Sequence, residues 1–180
     1  MDYRLRLAFV YSIVLILLHL QDAHAGRNIE LNSFQPMSDY DDSWVSWDTI
    51  RLKKISRTEM GVTGDVELKQ NIGNEQLVSM QVYKYDRENK RRGPMVFQIE
   101  KPYCQLVESL MNTYNGMVKK SNLPDPFQCP FPKNTYTWNE YVLDTDFLVK
   151  NVPKGDYILY ALLKNGEKAV SGLEFEVTVQ

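Results

Sequence analysis

The chain has 180 residues, 21 basic and 23 acidic side chains, a net charge of −2, two histidines and two cysteines. That balance offers no positive field for a nucleic-acid partner. The scarcity of histidine and cysteine leaves little room for nucleophilic or metal chemistry.

The first element is "MDYRLRLAFVYSIVLILLHLQDAHAG". Arg4 and Arg6 precede an apolar run from Leu7 to Leu18, broken only by Ser12, and Ala23-His24-Ala25 follows. This order reads as a secretory signal peptide over residues 1–25, cleaved after Ala25. The run is shorter than the ~20 residues that a spanning helix needs, and no second run of that length occurs. A secreted, extracellular protein with no transmembrane segment in its mature chain is expected. Arg4, Arg6, Asp2 and Asp22 leave with the peptide, so the net charge stays at −2. His19 and His24 leave too, and the mature chain then has no histidine. A Ser-His-Asp or Cys-His arrangement is excluded, as is a histidine zinc site, and two cysteines cannot supply a four-thiolate one. No phosphate-binding glycine loop or nucleophile elbow is present. The carboxylates Asp39, Asp41, Asp42, Asp144 and Asp146 read as charged surface rather than as a catalytic pair. The expectation is a protein that is not an enzyme and needs no metal and no cofactor.

Residues 26–43 read as a polar N-terminal segment and residues 44–180 as one domain. "WVSWDTIRLKKIS" (Trp44 to Ser56) is aromatic and β-branched, and reads as β-structure. In "GVTGDVELKQ", Val62, Val66 and Leu68 share a face. "LVSMQVYKY" puts Val78, Met80 and Val82 on one face, and "PMVFQIEK" does so for Met95, Phe97 and Ile99. "YCQLVESLMNTYNGMVKK" (Tyr103 to Lys120) spaces Leu106, Leu110 and Tyr114, and Val107 and Met111, as one amphipathic helix. "YVLDTDFLV" is a further strand, and "GDYILYALL" is apolar on both faces, as a central strand is. "KNGE" (Lys164 to Glu167) marks a hairpin turn of the Asn-Gly kind. "GLEFEVTVQ" sets Leu173, Phe175, Val177 and Val179 against Glu174, Glu176 and Thr178, one dry face and one wet. The predicted fold is all-β: an antiparallel β-sandwich of about eight strands with one inserted α-helix. Cys104 and Cys129 are expected to form an internal disulfide, worth roughly 3.5 kcal/mol by chain entropy. Two free thiols, or a bridge between chains, are the alternatives.

"CPFPKNTYTWNEYVLDTDFLVKNVPKGDYILYALL" resembles the corresponding region of the lysosomal ganglioside activator protein, through Cys129, Pro130, Phe131, Thr135, Tyr136, Gly155 and Tyr157. "SWD" (Ser46 to Asp48) and "GVTGDVELKQ" resemble earlier parts of the same fold. "KPYCQ", "SNLPDPFQCPFPKNTY" and "VPKGDY" resemble insect chemosensory proteins of the CheA/CheB group, relatives within the ML-type lipid-recognition domains. The resemblance implies an immunoglobulin-like β-cup, in which two splayed sheets enclose an apolar cavity. It implies a carrier of a lipid, fatty acid or cuticular hydrocarbon in contact-pheromone detection, with a chemoreceptor as possible partner. The activator's additional disulfides have no counterpart here, so its cavity rim and its docking to a hydrolase do not carry over. The candidate cavity wall is Val66, Leu68, Val78, Met80, Val82, Met95, Phe97, Ile99, Leu106, Leu110, Met111, Phe175, Val177 and Val179. Any of these is equally an ordinary core position. Two other readings stand beside the carrier: an extracellular protein-interaction module with a closed core, and a lipid-presenting cofactor for a hydrolase.

"KYDRENKRRG" (Lys84 to Gly93) reads as a solvated hairpin tip rather than as a headgroup-binding patch. Replacing Lys90, Arg91 and Arg92 by Gln is expected to leave liposome association and its salt dependence unchanged. A loss of association would assign the tip a membrane-contacting role.

Overall fold

The computed structural model describes residues 29–40, 43–47, 49–57, 59–142 and 152–180. The signal-peptide reading, Asp41, Asp42, Asp48, Asp144, Asp146 and most of "YVLDTDFLV" lie outside those residues. Among the described residues no helix is long and apolar enough to cross a membrane.

The strands are β1 (Ile29–Pro36), β2 (Val45–Ser46), β3 (Arg51–Lys54), β4 (Met60–Leu68), β5 (Gln76–Asp86), β6 (Arg91–Pro102), β7 (Asn134–Val142), β8 (Gly155–Asn165) and β9 (Lys168–Val179). Two helices, α1 (Tyr103–Ser109) and α2 (Met111–Val118), separate β6 from β7. The fold is an all-β antiparallel sandwich. One sheet has the order β1-β9-β8-β5-β6. The "GDYILYALL" segment is its middle strand, as apolarity on both faces requires. In the second sheet β7 runs along one side of β4, while β2 and β3 follow one another along the other.

Several local expectations are corrected. The segment 26–43 is not merely a polar leader, because β1 pairs with β9 from Ile29↔Val179 to Pro36↔Leu173. Trp44 to Ser56 is not continuous β-structure, since Trp47, Thr49 and Ile50 lie outside the ladder between β2 and β3. They cross over Gly64, whose φ of +121° suits glycine and whose missing Cβ makes room for the Thr49 carbonyl. Thr49 Oγ1 accepts a 2.6 Å hydrogen bond from the Asp65 N–H and pins the crossing. The single helix is two, parted at Leu110 (φ −119°). There the Leu110 N–H bonds the Val107 carbonyl at 2.9 Å, one residue short of the α-helical step, and Ser109 Oγ donates to the Leu106 carbonyl. The hairpin "KNGE" is present, with Asn165 paired to Lys168. Its loop is Gly166-Glu167, with Gly166 at φ +61° in the first position, one residue later than an Asn-Gly turn.

The sandwich has two cores. The larger joins Val45, Ile50, Val62, Val66, Leu68, Ile72, Tyr114, Phe131 and Tyr136. The smaller joins Val82, Val152, Tyr157, Leu159, Val177 and Val179. The "KYDRENKRRG" hairpin tip is exposed from Asp86 to Val96. Arg92, however, places its guanidinium 4.7 Å from the Tyr83 ring centre and 5.8 Å from that of Tyr160. It is therefore a packing cation of the outer face rather than a free one.

Two glycine substitutions separate conformational from steric cost. Gly166→Ala, at a site with open space around it, is expected to cost about 1–2 kcal/mol for the left-handed backbone alone. Gly64→Ala adds a clash with the Thr49 backbone and is expected to cost roughly 3 kcal/mol or more. Thermal unfolding of the two variants checks the order.

Candidate functional site: an apolar cavity between the sheets

Between the sheets lies a cavity of about 280 Å³. The second sheet and its crossing loop supply Val45, Trp47, Val66, Leu68, Tyr136 and Trp138. The five-stranded sheet supplies Val78, Ala161, Leu162, Leu163, Ser171, Gly172 and Leu173. The helices add Tyr103, Val107, Tyr114 and Met117, and the connections add Ile72, Leu123 and Phe131. None of these lining residues is charged. The polar atoms of this wall are largely turned to the protein. Trp47 Nε1 donates to Ser171 Oγ at 2.8 Å, from the crossing loop to the five-stranded sheet. The Tyr114 hydroxyl donates to the Pro124 carbonyl at 2.6 Å, and that of Tyr136 to the Pro132 carbonyl at 2.6 Å. An apolar space of this kind stays dry, and a cavity of about 150 Å³ already admits a benzene-sized guest.

The disulfide Cys104–Cys129 is formed. Cys104 is fully buried at the start of α1. Its bridge draws the proline-rich segment 124–132 against the helices. Phe131 is further held by reciprocal backbone bonds with Ile72 at 3.0 and 2.7 Å. The segment delivers Phe127 and Phe131 onto an aromatic cluster. Ring centres lie 5.2 Å apart for Tyr114–Phe127, 5.8 Å for Tyr103–Phe131 and 5.0 Å for Phe131–Tyr136. These edge and tilted contacts add to the burial of each ring. The result is a rigid aromatic closure at one end of the cavity. Burial holds the phenols of Tyr103, Tyr114 and Tyr136 in their neutral form. It pushes Tyr114 up to about 12, with smaller contributions from Tyr136 and Asp125. Tyr136 is raised by burial alone.

Of the candidate wall residues, Val66, Leu68 and Val78 border the cavity. Val82, Val177 and Val179 lie in the second core instead, with Phe97 and Phe175 packed against it. That end is filled, with about 10 Å³ of space. Met80, Leu106 and Leu110 are half-buried away from the cavity, and Met111 packs on the larger core without reaching it. Met95 and Ile99 are 46% and 42% exposed. The reason is geometric. Alternation identifies the inner face of a strand but not the position along it, and the same face serves the cavity at one end and a solid core at the other. β6 is an edge strand whose one partner is β5, and the second sheet is too narrow to cover it. The lining residues not foreseen include six aromatic ones: Trp47, Tyr103, Tyr114, Phe131, Tyr136 and Trp138. The concentration of rings around Cys129 was their sequence signal.

Residues 78–159 match the model of a family described as "Protein of unknown function (DUF1091)". That stretch runs from β5 through both helices, the disulfide segment and β7 into β8. No curated protein matches the chain.

Replacing both cysteines by Ala is expected to lower stability by about 2–4 kcal/mol, read by denaturant unfolding. Stability should also depend on alkaline pH. It stays level up to the ordinary phenol value of 10.0 and falls as pH rises toward about 12. In that window the unfolded chain releases protons that the folded chain retains. Denaturant midpoints across the range, with phenolate absorbance as a parallel readout, check the slope.

Proposed function

We propose that the protein is a non-enzymatic carrier of an apolar ligand held in the cavity between its sheets. The observation that carries this reading is the wall: twenty lining residues, none charged, enclosing a space where an ordinary sandwich places side chains. Binding there needs no catalytic group. Each methylene moved from water into such a wall contributes about 0.8 kcal/mol, so a long chain binds through burial alone.

The resemblance of the Cys129–Leu163 region to the ganglioside activator, and of "KPYCQ", "SNLPDPFQCPFPKNTY" and "VPKGDY" to insect chemosensory proteins of the CheA/CheB group, supports a secreted carrier of lipid or long-chain hydrocarbon in contact chemosensation. The disulfide is compatible with an oxidising, extracellular setting. A second reading has its own observation: Met95, Val96 and Ile99 stand exposed on the edge strand β6, where an extracellular interaction module offers an apolar contact.

Titration of the disulfide-bonded protein with a fluorescent fatty probe is expected to saturate near one probe per chain, with displacement by long-chain hydrocarbons. Ala161→Phe, which places a ring in the cavity from the middle strand, should abolish uptake while the protein stays folded. Absence of saturable binding by the folded wild type would sink the carrier and leave the β6 face as the functional surface.

A further inference from the structure

Three phenols converge at the aromatic closure of the cavity, and they differ in one respect. Tyr114 and Tyr136 donate to the Pro124 and Pro132 carbonyls, while Tyr103 is the lining hydroxyl that makes no hydrogen bond among the described residues. Its ring is fixed against Phe131 at 5.8 Å. Protein surrounds it closely enough that burial is the first cause of its raised pKa, ahead of the nearby Tyr114 and Tyr136. Yet its oxygen is not sealed. Among the described residues, Ser33 Oγ is the buried side-chain oxygen without either a partner or accessible surface. Tyr103 is half-buried, lines the cavity and has no partner for its hydroxyl among the described residues. A buried hydroxyl left without a partner is unfavourable, so the site is short of one hydrogen bond.

We propose that Tyr103 supplies the polar contact of the cavity, and that the ligand is an apolar chain carrying one uncharged oxygen function, such as an alcohol, ketone or ester. This rests on the carrier reading above and narrows it. A pure hydrocarbon leaves the hydroxyl unpaired. An ionised carboxylate satisfies it but brings a charge into a wall with no Lys or Arg, where an unpaired charge is strongly disfavoured. The indole of Trp138, also on the wall, offers a donor only; the hydroxyl of Tyr103 both donates and accepts.

The test uses the disulfide-bonded protein loaded with a fluorescent fatty probe and displaced by hexadecane, hexadecanol or hexadecanoate at neutral pH. Tyr103→Phe keeps the ring on Phe131. It is expected to weaken hexadecanol binding roughly 3–10-fold while moving hexadecane by less than about twofold. Hexadecanoate should be the weakest competitor for both proteins. Equal shifts for alcohol and alkane, or no shift for either, would overturn the assignment of Tyr103 while leaving the carrier standing. Failure of every competitor to displace the probe from wild type would remove the carrier and this inference together. A readout that needs no variant is the infrared carbonyl band of a bound long-chain methyl ketone. A shift to lower wavenumber supports the bond, and an unshifted band overturns it.

Discussion

An apolar space inside a protein has to be held open against the tendency of its walls to collapse. Unfilled volume of about 280 Å³ costs on the order of several kcal/mol, a large part of the total stability of a domain. The molecule meets this with rigid closure at one end. Cys104–Cys129 joins the first helix to the proline-rich segment, and reciprocal backbone bonds tie Phe131 to Ile72. The rings of Phe127 and Phe131 then brace Tyr103, Tyr114 and Tyr136. That brace fixes the helices and the proline-rich segment at this end of the space between the sheets.

The same two sheets give opposite outcomes at their two ends, and residue size accounts for it. Around Val82 and Val177 the inner positions carry Tyr157, Phe97, Phe175 and Val152, and the space is filled. Farther along β8 and β9 the inner positions include Ala161 and Ser171. Trp47 reaches across to Ser171 as a strut rather than as a plug. One strand therefore contributes both to a packed core and to a cavity wall.

This division explains what was legible beforehand. The antiparallel sandwich, the middle position of β8, the dry face of β9 and the disulfide all follow from short-range patterns in the chain. Periodicity of two sets a strand's inner face, and a pair of cysteines has one internal partner each. The crossing over Gly64 was not legible, because it is settled by a hydrogen bond between Thr49 and Asp65, far apart in the chain; the break at Leu110 rests on local bonds to Val107 and Leu106 that an apolar periodicity does not register. The exposure of Met95 and Ile99 was hidden for a related reason, since an alternating strand has the same pattern whether or not another sheet lies over it.

The amino-acid sequence by itself determined the class of structure and the alternation of the strand faces, because these depend on composition and on neighbours a few residues apart. Only the tertiary structure decided where the apolar faces meet as a solid core and where they part around a cavity. It also decided which of the three phenols at the closure is left with its hydroxyl unbonded among the described residues. Those outcomes depend on the relative width of two sheets, on the size of side chains opposed across them, and on which carbonyls a disulfide brings within reach.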